Sequence, residues 1–531
     1  MPKITILSGG TATNELVPLF TNLSQKNKTT YVLPISDNGG STSEIIRVIG
    51  GPAIGDIRSR LTRLIPQHQL DLRELLSFRL SLNPKIAKQE WNDIVEGTHP
   101  LWNSLSSSTK EIFRAFFVHL HVELLKRSRI TQSTKRQFRY ELANVGNLFL
   151  TGARLFIGSL DSSIELFCRL TDVDPDVQVL PCINTNFTYH ISALLENGLI
   201  ITGQSQISHP SSSHGNTGSG NNCGDGPLKS GLVVGDGAGV GVDASYPPPI
   251  ISTRPGTPTD DLSRTQYFND LDIAINQVET SKLRVRLNLS TSPLSARGSI
   301  FSSDSEDDED EESGNVPQYT HPELKKSQLH FNKLDDIEPL LSPIKRIFYI
   351  SPYGEEICPA ANPRVTSTIT NSDTLIYSIG SLMTSIVPIL VLKGVGKAII
   401  GSTNCRNKIL LLNGCLDRET AGMTAFDFVR VIVEAVEYSL RKQHGENISD
   451  TLKEMGVEAE DERMQMGMGV GLPWNKVITD VIYMTNSNIF VDKQLLNKKG
   501  VKCTVVKRIE GTDYYDLNDL EKVLSGIISS Q

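Results

Sequence analysis

Two short apolar runs near the start of the chain, residues 3–7 and 30–35, each end in a glycine-containing turn that leads into a helix-like segment. Short runs dominated by apolar and β-branched residues are typical of strands that are buried on both faces, as in a parallel sheet covered by helices. The helix-like segments are residues 14–23 and 43–49. This alternation predicts a Rossmann-like, doubly wound, mainly parallel α/β fold.

The same alternation returns in the second half of the chain. Residues 424–441 predict a long helix. Near the start, Asp56 is suited to cap a third helix at residues 57–65, because Gly55 leaves room for the turn. Further strands are predicted at residues 344–350, 374–379, 397–400 and 408–412.

A stretch of different composition separates the two halves. Residues 208–338 are dominated by Ser, Gly, Pro, Asn and Asp, and they hold too few apolar residues to offset the entropy of ordering. We expect a long, mostly disordered insertion, with one edge strand at 283–289 where apolar and polar residues alternate. Residues 67–137 lack strand signals and predict a helical insertion. The core then comprises residues 1–66, 138–207 and 339–531.

The charge of the chain is concentrated in one place. Of the nine residues at 304–312, eight are acidic, while the whole chain carries a net charge of −8, so the remainder is close to neutral. A near-neutral surface argues against a nucleic-acid partner. The acidic run is either a solvated loop or, with Ser302, Ser303 and Ser305 beside it, a target for an acidophilic kinase.

Cysteine usage and the first residues indicate the compartment. The seven cysteines include no Cys-x-x-Cys pair, which fits reduced thiols and argues against zinc. The chain enters a strand-like run at residue 3, without the apolar core of a signal peptide. Residues 375–400 are apolar, but Gly380, Pro388 and Lys393 interrupt them, so buried elements are expected there and not a membrane span. The expected location is cytoplasmic, with no membrane partner.

The first glycine turn is a candidate anion site. Gly9, Gly10, Thr11 and Thr13 lie where the first strand gives way to a helix, so backbone amides and the helix N-terminus point to one place. The turn lacks the lysine and the spacing of a P-loop, and it lacks the GxGxxG spacing of a dinucleotide site. Phosphate binding and a tight turn without a ligand are the two alternatives.

The second turn consists of Asp37, Asn38, Gly39, Gly40 and Ser41. Ligands of open α/β sheets bind outside the carboxyl ends of the strands, so the two turns are expected at the same edge. Asp37 is suited to hold a divalent metal, or to bond a ribose or a base edge. The alternative is that Asp37 forms an Asx turn.

Two further segments place polar side chains near this edge. Arg58 can clamp a phosphate through two hydrogen bonds. Asp56, if it is not a helix cap, is the second candidate metal ligand beside Asp37. Asn144 and Asn147 open an apolar helix, and they either face the ligand or cap that helix.

A third turn repeats the pattern of a strand, small hydroxyl-bearing residues and a helix. Gly380, Ser381, Thr384 and Ser385 follow a predicted strand and form a second candidate phosphate cradle. No Ser-His-Asp triad is legible, so no catalytic residue is assigned. His190 is expected to be a core histidine.

In this order, the motifs resemble those of the CofD-like family, which includes the 2-phospho-L-lactate transferases and the YvcK-type gluconeogenesis factors. The resemblance implies a Rossmann-like core that binds a nucleoside diphosphate-type ligand. The long insertion is foreign to the compact bacterial members and suggests a eukaryotic, fungal relative. The likeness rests on residues 8–13, 36–41 with 55–58, 144–150, 179–181 with 198–207, and 379–388.

The resemblance implies two alternative functions. YvcK-type members look like regulators that bind UDP-sugars, and the Asp-Asn-Gly-Gly of this chain is similar to their Asp-Asp-Gly-Gly turn. We therefore expect a nucleotide-sugar-binding regulator of carbon metabolism, with a homo-oligomer as a candidate assembly. The alternative is a transferase similar to the 2-phospho-L-lactate transferases, with Mg²⁺ as its candidate cofactor. Asn38 removes one carboxylate and so disfavours metal-dependent transfer.

Overall fold

Strands from both halves of the chain build two sheets. The computed structural model describes residues 2–24, 28–36, 39–129, 137–208, 339–444 and 471–529, and all of them belong to one structural unit. Numbered along the chain, the strands are β1 (Ile4–Leu7), β2 (Thr29–Leu33), β3 (Val177–Pro181), β4 (His190–Leu195), β5 (Ile200–Thr202), β6 (Ile344–Ile350), β7 (Glu356–Ile357), β8 (Thr374–Tyr377), β9 (Asn407–Leu411), β10 (Asp480–Met484) and β11 (Lys502–Val506).

The larger sheet has seven strands in the order β11-β10-β9-β8-β1-β2-β3, and neighbouring strands are parallel. β1 is an inner strand of this sheet, since Ile4 lies opposite Thr29 of β2 and Thr374 of β8. The chain fills the sheet from β1 out to β3, returns to the other side of β1, and then runs out to β11. The predicted Rossmann-like, doubly wound α/β fold is confirmed, and its topological switch point lies between the carboxyl ends of β1 and β8.

A smaller antiparallel sheet has the order β5-β4-β6-β7. β4 and β6 lie on the two sides of the predicted insertion in the sequence, and they pair from His190 opposite Ile350 to Leu195 opposite Ile344. β6 is therefore a strand, as predicted, but it does not belong to the parallel sheet. An apolar run does not reveal which sheet its strand will join. His190 is buried in this sheet, as expected, and burial lowers its pKa to about 4.

Helices connect the parallel strands and extend from them. Those in the first half are α1 (Val17–Ser24), α2 (Gly40–Val48), α3 (Gly55–Leu64), α4 (Leu70–Ser77), α5 (Pro84–Glu96), α6 (Ser107–Arg129), α7 (Val145–Ile157), α8 (Leu160–Leu170) and α9 (Gln204–Ser208). Those in the second half are α10 (Pro363–Asn371), α11 (Val387–Leu390), α12 (Val395–Gly401), α13 (Ala425–His444), α14 (Trp474–Val477), α15 (Lys493–Lys498) and α16 (Leu517–Ser529).

The described part of the predicted helical insertion, residues 67–137, contains α4, α5 and α6. Its aromatic side chains pack inward: the Phe117 ring lies 5.7 Å from that of Trp91 and 6.1 Å from that of Trp102. Phe113 of α6 reaches Phe149 of α7, with ring centroids 4.7 Å apart. Because α7 belongs to the core, the helical insertion and the core share one apolar interior.

One predicted strand is wrong. Residues 397–400 lie in α12, which follows Gly394 with a φ of +99°. At Gly396, a Cβ atom would lie 2.7 Å from the carbonyl oxygen of Val436 in α13, so the missing side chain allows the two helices to approach closely. A short apolar run bounded by glycines fits a buried helix as well as a strand, and here the helix contacts decide.

Several predictions lie outside the described residues. They are the edge strand at 283–289, the acidic run with its serines, and the side chains of Asp37 and Asn38. In the described ranges, the helices are too short or too polar for any of them to traverse a bilayer.

Candidate functional site

Two of the predicted turns meet at the switch point of the sheet. Ser8, Gly9 and Gly10 follow β1, and residues 378–381 follow its neighbour β8. The Thr13 hydroxyl joins them, since Oγ1 donates to Ser378 Oγ at 3.1 Å and to the Ile379 carbonyl at 2.9 Å. Thr13, predicted as a ligand contact, therefore links the turn after β1 to the turn after β8.

The turn after β1 requires glycine because other elements press against it. A Cβ atom at Gly10 would lie 2.7 Å from Cα of Asp56, and one at Gly9 would lie 2.6 Å from Oγ of Ser385. Thr11, in contrast, is exposed. The segment thus runs between the start of α3 and the turn after β8, which places Asp56 and Ser385 at the same edge, as predicted.

Asp56 lies in the first turn of α3 and does not cap it. The helix begins at Gly55, and its cap residue Ile54 provides no side-chain hydrogen bond. The Asp56 carboxylate instead approaches the glycine turn, with Oδ2 3.7 Å from the position of a Cβ atom at Gly9. The capping alternative is therefore wrong, and the alternative as a metal ligand beside Asp37 stays a prediction.

Arg58 is a largely buried cation with Arg79 and Asp56 as charged neighbours. Its stem packs on Gly146, where a Cβ atom would lie 3.0 Å from Arg58 Cγ. Its Nε is buried and has no hydrogen-bond partner among the described residues. Burial and the neighbouring Arg79 lower the pKa of Arg58 to about 10, so it still carries its charge at neutral pH.

Arg60 is a functional residue that sequence reasoning missed. Its guanidinium is fully buried and donates to the Gly9 carbonyl at 3.3 Å and the Thr13 carbonyl at 3.4 Å. It also lies 4.6 Å from the centre of the Tyr31 ring, a favourable cation–π contact. Burial lowers its pKa to about 10. The available signal was its position three residues after Ile57, on the buried face of α3.

The turn after β8 is held by neighbouring side chains. Gly380 adopts a φ of +134°, and Asn413 bonds it from both sides: Oδ1 accepts from the Gly380 amide at 3.1 Å and Nδ2 donates to its carbonyl at 2.7 Å. A φ of this sign favours glycine. Gly380 is therefore needed for the backbone of the turn.

The hydroxyls of this turn bond a buried carboxyl group. Ser381 Oγ and Ser208 Oγ both donate to Glu419, and Thr384 Oγ1 donates to Glu419 Oε1 at 2.9 Å. Ser381 Oγ also accepts the Thr384 amide at 3.1 Å, as a helix cap. Ser381 and Thr384, predicted to bind phosphate through their hydroxyls, thus use these groups inside the protein.

Glu419 is the second functional residue that the sequence did not reveal. It follows β9 in a short 3-10 turn, Arg418–Thr420, and no motif marks it. Burial and the nearby Asp417 raise its pKa to about 7, although the hydroxyls of Ser208, Ser381 and Thr384 act in the opposite direction. A carboxyl group with this pKa can take up and release a proton near neutral pH.

The remaining predicted residues lie on α2 and α7. Asn144 caps α7, as its Oδ1 accepts the amide of Gly146 at 3.0 Å, and its Nδ2 donates to the Ser77 carbonyl at 2.9 Å. Asn147 Nδ2 donates to Ser41 Oγ at 2.6 Å. Gly39 and Gly40 open α2. Asn144 therefore follows the capping alternative, and Asn147 joins α7 to the start of α2.

The predicted metal site is only partly described. Among the described residues, no three His, Cys, Asp or Glu side chains come together as a metal-binding group. Asp56 is the described member of the predicted pair. Asp37 lies outside the described residues, so the pair of Asp37 and Asp56 as metal ligands stays a prediction.

Comparison with known proteins gives a consistent family match. The family model described as 2-phospho-L-lactate transferase CofD matches residues 4–466. Among curated proteins, the Saccharomyces cerevisiae (strain ATCC 204508 / S288c) relative "Uncharacterized protein YNL011C" is 40% identical over 528 residues, which cover 99% of each chain. This relative agrees with the expectation of a fungal one.

Solved structures also match over the length of the chain. Two crystal structures of protein BH3568 from Bacillus halodurans, one of them described as a member of the UPF0052 family, are 14% identical to this chain. They cover 98% of this chain and 99% of their own, with a TM-score of 0.48.

Proposed function

Because this chain belongs to the 2-phospho-L-lactate transferase CofD family, we propose that it binds a nucleoside diphosphate-type ligand in the crevice between the turns after β1 and β8. The observation that carries the proposal is the meeting of two glycine turns at the switch point of a parallel sheet. Ligands of open α/β sheets bind at such a point, where strand ends and backbone amides converge.

The charges around the crevice support an anionic ligand. Arg58 of α3 has a buried Nε that lacks a partner in the described ranges, and Arg60 lies beneath the Gly9–Gly10 peptide. The positive charge that Arg60 places under this turn favours an anionic group above it. A nucleotide-sugar such as a UDP-sugar, bound by a regulator of carbon metabolism, is the specific form of this proposal, and its support is the Asp-Asn-Gly-Gly turn.

The second candidate function is a magnesium-dependent transferase, and Glu419 is the observation that favours it. A carboxyl group with a pKa of about 7, hydrogen-bonded to the half-buried Ser381, is suited to accept a proton from an acceptor hydroxyl through Ser381. Asp56 and Asp37 would hold Mg²⁺, whose charge would stabilise the phosphates during transfer.

A thermal-shift experiment tests the proposed function. Full-length protein is heated with UDP-glucose or with GDP, each in Mg²⁺ and in EDTA. Ligand at about 100 times its Kd should stabilise the fold by about 2.7 kcal/mol. We expect Arg58→Gln to lose this increase in melting temperature, because the variant removes the positive charge of the guanidinium. Arg63→Gln on the same helix should keep the increase. Arg63 bonds the Asn14 carbonyl at 3.1 Å and serves as the matched control.

The outcomes separate the candidates. A shift that survives EDTA, with no product after long incubation, supports the regulator. UMP and glucose 1-phosphate that form from UDP-glucose only with Mg²⁺, with water as the acceptor, support the transferase. If neither nucleotide changes the melting temperature of the wild-type protein, the proposed function is wrong.

A further inference from the structure

Opposite charges are buried beneath the two turns that border the proposed crevice. Under the turn after β1 lies the guanidinium of Arg60, which is fully buried. Under the turn after β8 lies the carboxyl group of Glu419, which is also buried. Each is hydrogen-bonded to the turn above it. The charges buried beneath the two turns therefore differ in sign, and the carboxylate of Asp56 also lies against the turn after β1.

Arg60 makes the turn after β1 a better anion site. It donates to the carbonyl of Gly9, and this carbonyl shares its peptide group with the amide of Gly10. A cation that pulls electron density from a carbonyl polarises the peptide, so the amide hydrogen becomes a stronger donor. The charge itself also attracts an anion more strongly inside the protein than in water.

Glu419 has the opposite effect on the turn after β8. The carboxyl oxygens of Glu419 accept hydrogen bonds from the hydroxyls of Ser381, Thr384 and Ser208. These hydroxyls are therefore not available to donate to a phosphate. When ionised, the carboxylate also repels a phosphate nearby. A hydroxyl of a ligand meets no such repulsion, and it can donate to Oγ of the half-buried Ser381, which keeps acceptor capacity after its own proton is given to Glu419.

We infer that the two buried charges orient the ligand in the crevice: its phosphates lie over the turn after β1, above Arg60, and an uncharged, hydroxyl-bearing part lies beside Ser381, above Glu419. This inference rests on the proposed function and adds a direction to it. Arg60 and Glu419 act here as positioning residues, because each works through the turn that it supports.

The charged neighbours of both groups are compatible with this arrangement. Asp56 raises the pKa of Arg60, and Arg63 lowers it. The negative charge of Asp417 raises the pKa of Glu419. Arg418 donates to the carbonyl of Gln206 at 2.9 Å. α9 and the turn after β8 contribute hydroxyls, as described above, to the Glu419 carboxyl group.

Titration calorimetry of the full-length protein tests the inference, with inorganic pyrophosphate and UDP-glucose as probes at pH 8. Arg60→Gln should weaken pyrophosphate binding by at least about tenfold, and Arg60→Lys should restore part of the loss, since a unit charge at this range acts strongly at low dielectric. Glu419→Gln should tighten pyrophosphate binding by about threefold or more, because it removes a repelling charge. Arg63→Gln is the control and should change the affinity for neither pyrophosphate nor UDP-glucose.

Ser381→Ala tests the other end of the ligand. It should weaken UDP-glucose and leave pyrophosphate unaffected, because pyrophosphate has no uncharged hydroxyl-bearing part. Unfolding would weaken pyrophosphate binding in both Arg60→Gln and Glu419→Gln, so opposite changes in affinity cannot come from it. Thermal melting of each variant checks folding directly.

Three results would overturn the inference. They are unchanged pyrophosphate binding in folded Arg60→Gln, weaker pyrophosphate binding in Glu419→Gln, and equal losses of both probes in Ser381→Ala. If Arg60→Gln does not fold, the Glu419→Gln result decides. Wild-type protein that binds neither probe refutes the proposed function itself, whereas binding without this pattern refutes only the orientation.

Discussion

Glu419 illustrates how a single residue can set the pH dependence of the fold. Its pKa of about 7 in the folded protein lies above the value of about 4.3 for a glutamate in an unfolded chain. The folded state therefore binds the proton more tightly than the unfolded state does. The stability that this proton provides is fully present below about pH 4.3 and is lost as the pH rises to 7.

We expect the loss between pH 5 and pH 8 to be about 1–3 kcal/mol, and Glu419→Gln to avoid it. Urea denaturation of wild-type and variant proteins at both pH values measures this. The free energy of unfolding of Glu419→Gln, relative to wild type, should be higher at pH 8 than at pH 5. Glu44→Gln is the control: Glu44 is buried, but hydrogen bonds from Arg47 and Arg139 hold its pKa low. A relative stability of Glu419→Gln that does not change with pH would refute the assignment.

The residues of the site differ in how visible they are in the sequence. Gly9 and Gly10 are visible because a strand, two glycines and a helix follow each other directly. Arg60 and Glu419 are not, since a buried charge looks like a surface charge until its neighbours are known. Glu419 lies 38 positions from Ser381, and no local pattern connects them.

At the scale of elements, the first turn of α7 shows how a helix start fixes part of the site. Asn144 uses its oxygen to cap the helix and its amide to bond Ser77 of α4. Removal of a cap costs about 1 kcal/mol, and the loss of a second, buried hydrogen bond adds to it.

We therefore expect Asn144→Ala to lower the free energy of unfolding by about 2–3 kcal/mol. Asn83→Ala is the matched control, because Asn83 caps α5 at an exposed position through the amide of Lys85 at 3.0 Å. It should cost about 1 kcal/mol or less. Urea denaturation of both variants compares them, and equal costs would show that the bond to Ser77 contributes nothing.

Element types were predictable where a pattern was long or clearly punctuated. The helix predicted at 424–441 overlaps α13 (Ala425–His444) almost completely, and the helical insertion predicted at 67–137 contains the long helix α6 (Ser107–Arg129). Residues 397–400 were not predictable, because a run of four apolar residues suits a buried strand and a buried helix equally. The antiparallel pairing of β6 with β4 was not predictable either. The two strands are far apart in the sequence, and no local pattern indicates that they pair.

At the scale of the whole molecule, the sheet has a clear centre and a clear rim. β1 and β8 have strands on both sides, whereas β11 pairs only with β10 and is partly exposed. Local opening costs least where few buried contacts are broken. Stability should therefore fall from the switch point toward β11.

Hydrogen exchange followed by mass spectrometry measures this gradient. Amides of β1 and β8 should exchange slowest, at the rate of global unfolding, and those of β11 about tenfold faster or more. β10, one strand further in, is the internal control and should be intermediate. If β11 exchanges as slowly as β1, the sheet opens as one unit and the gradient does not exist.

The inner position of β1 has a consequence for synthesis on the ribosome. β1 is made long before its partner β8, which begins at Thr374, so one side of β1 has no native neighbour while the residues between the two strands are translated. At about 5–20 residues per second, this interval is on the order of half a minute. For that time an apolar strand edge is open to wrong partners, and the nascent protein is expected to depend on chaperones until its second half emerges.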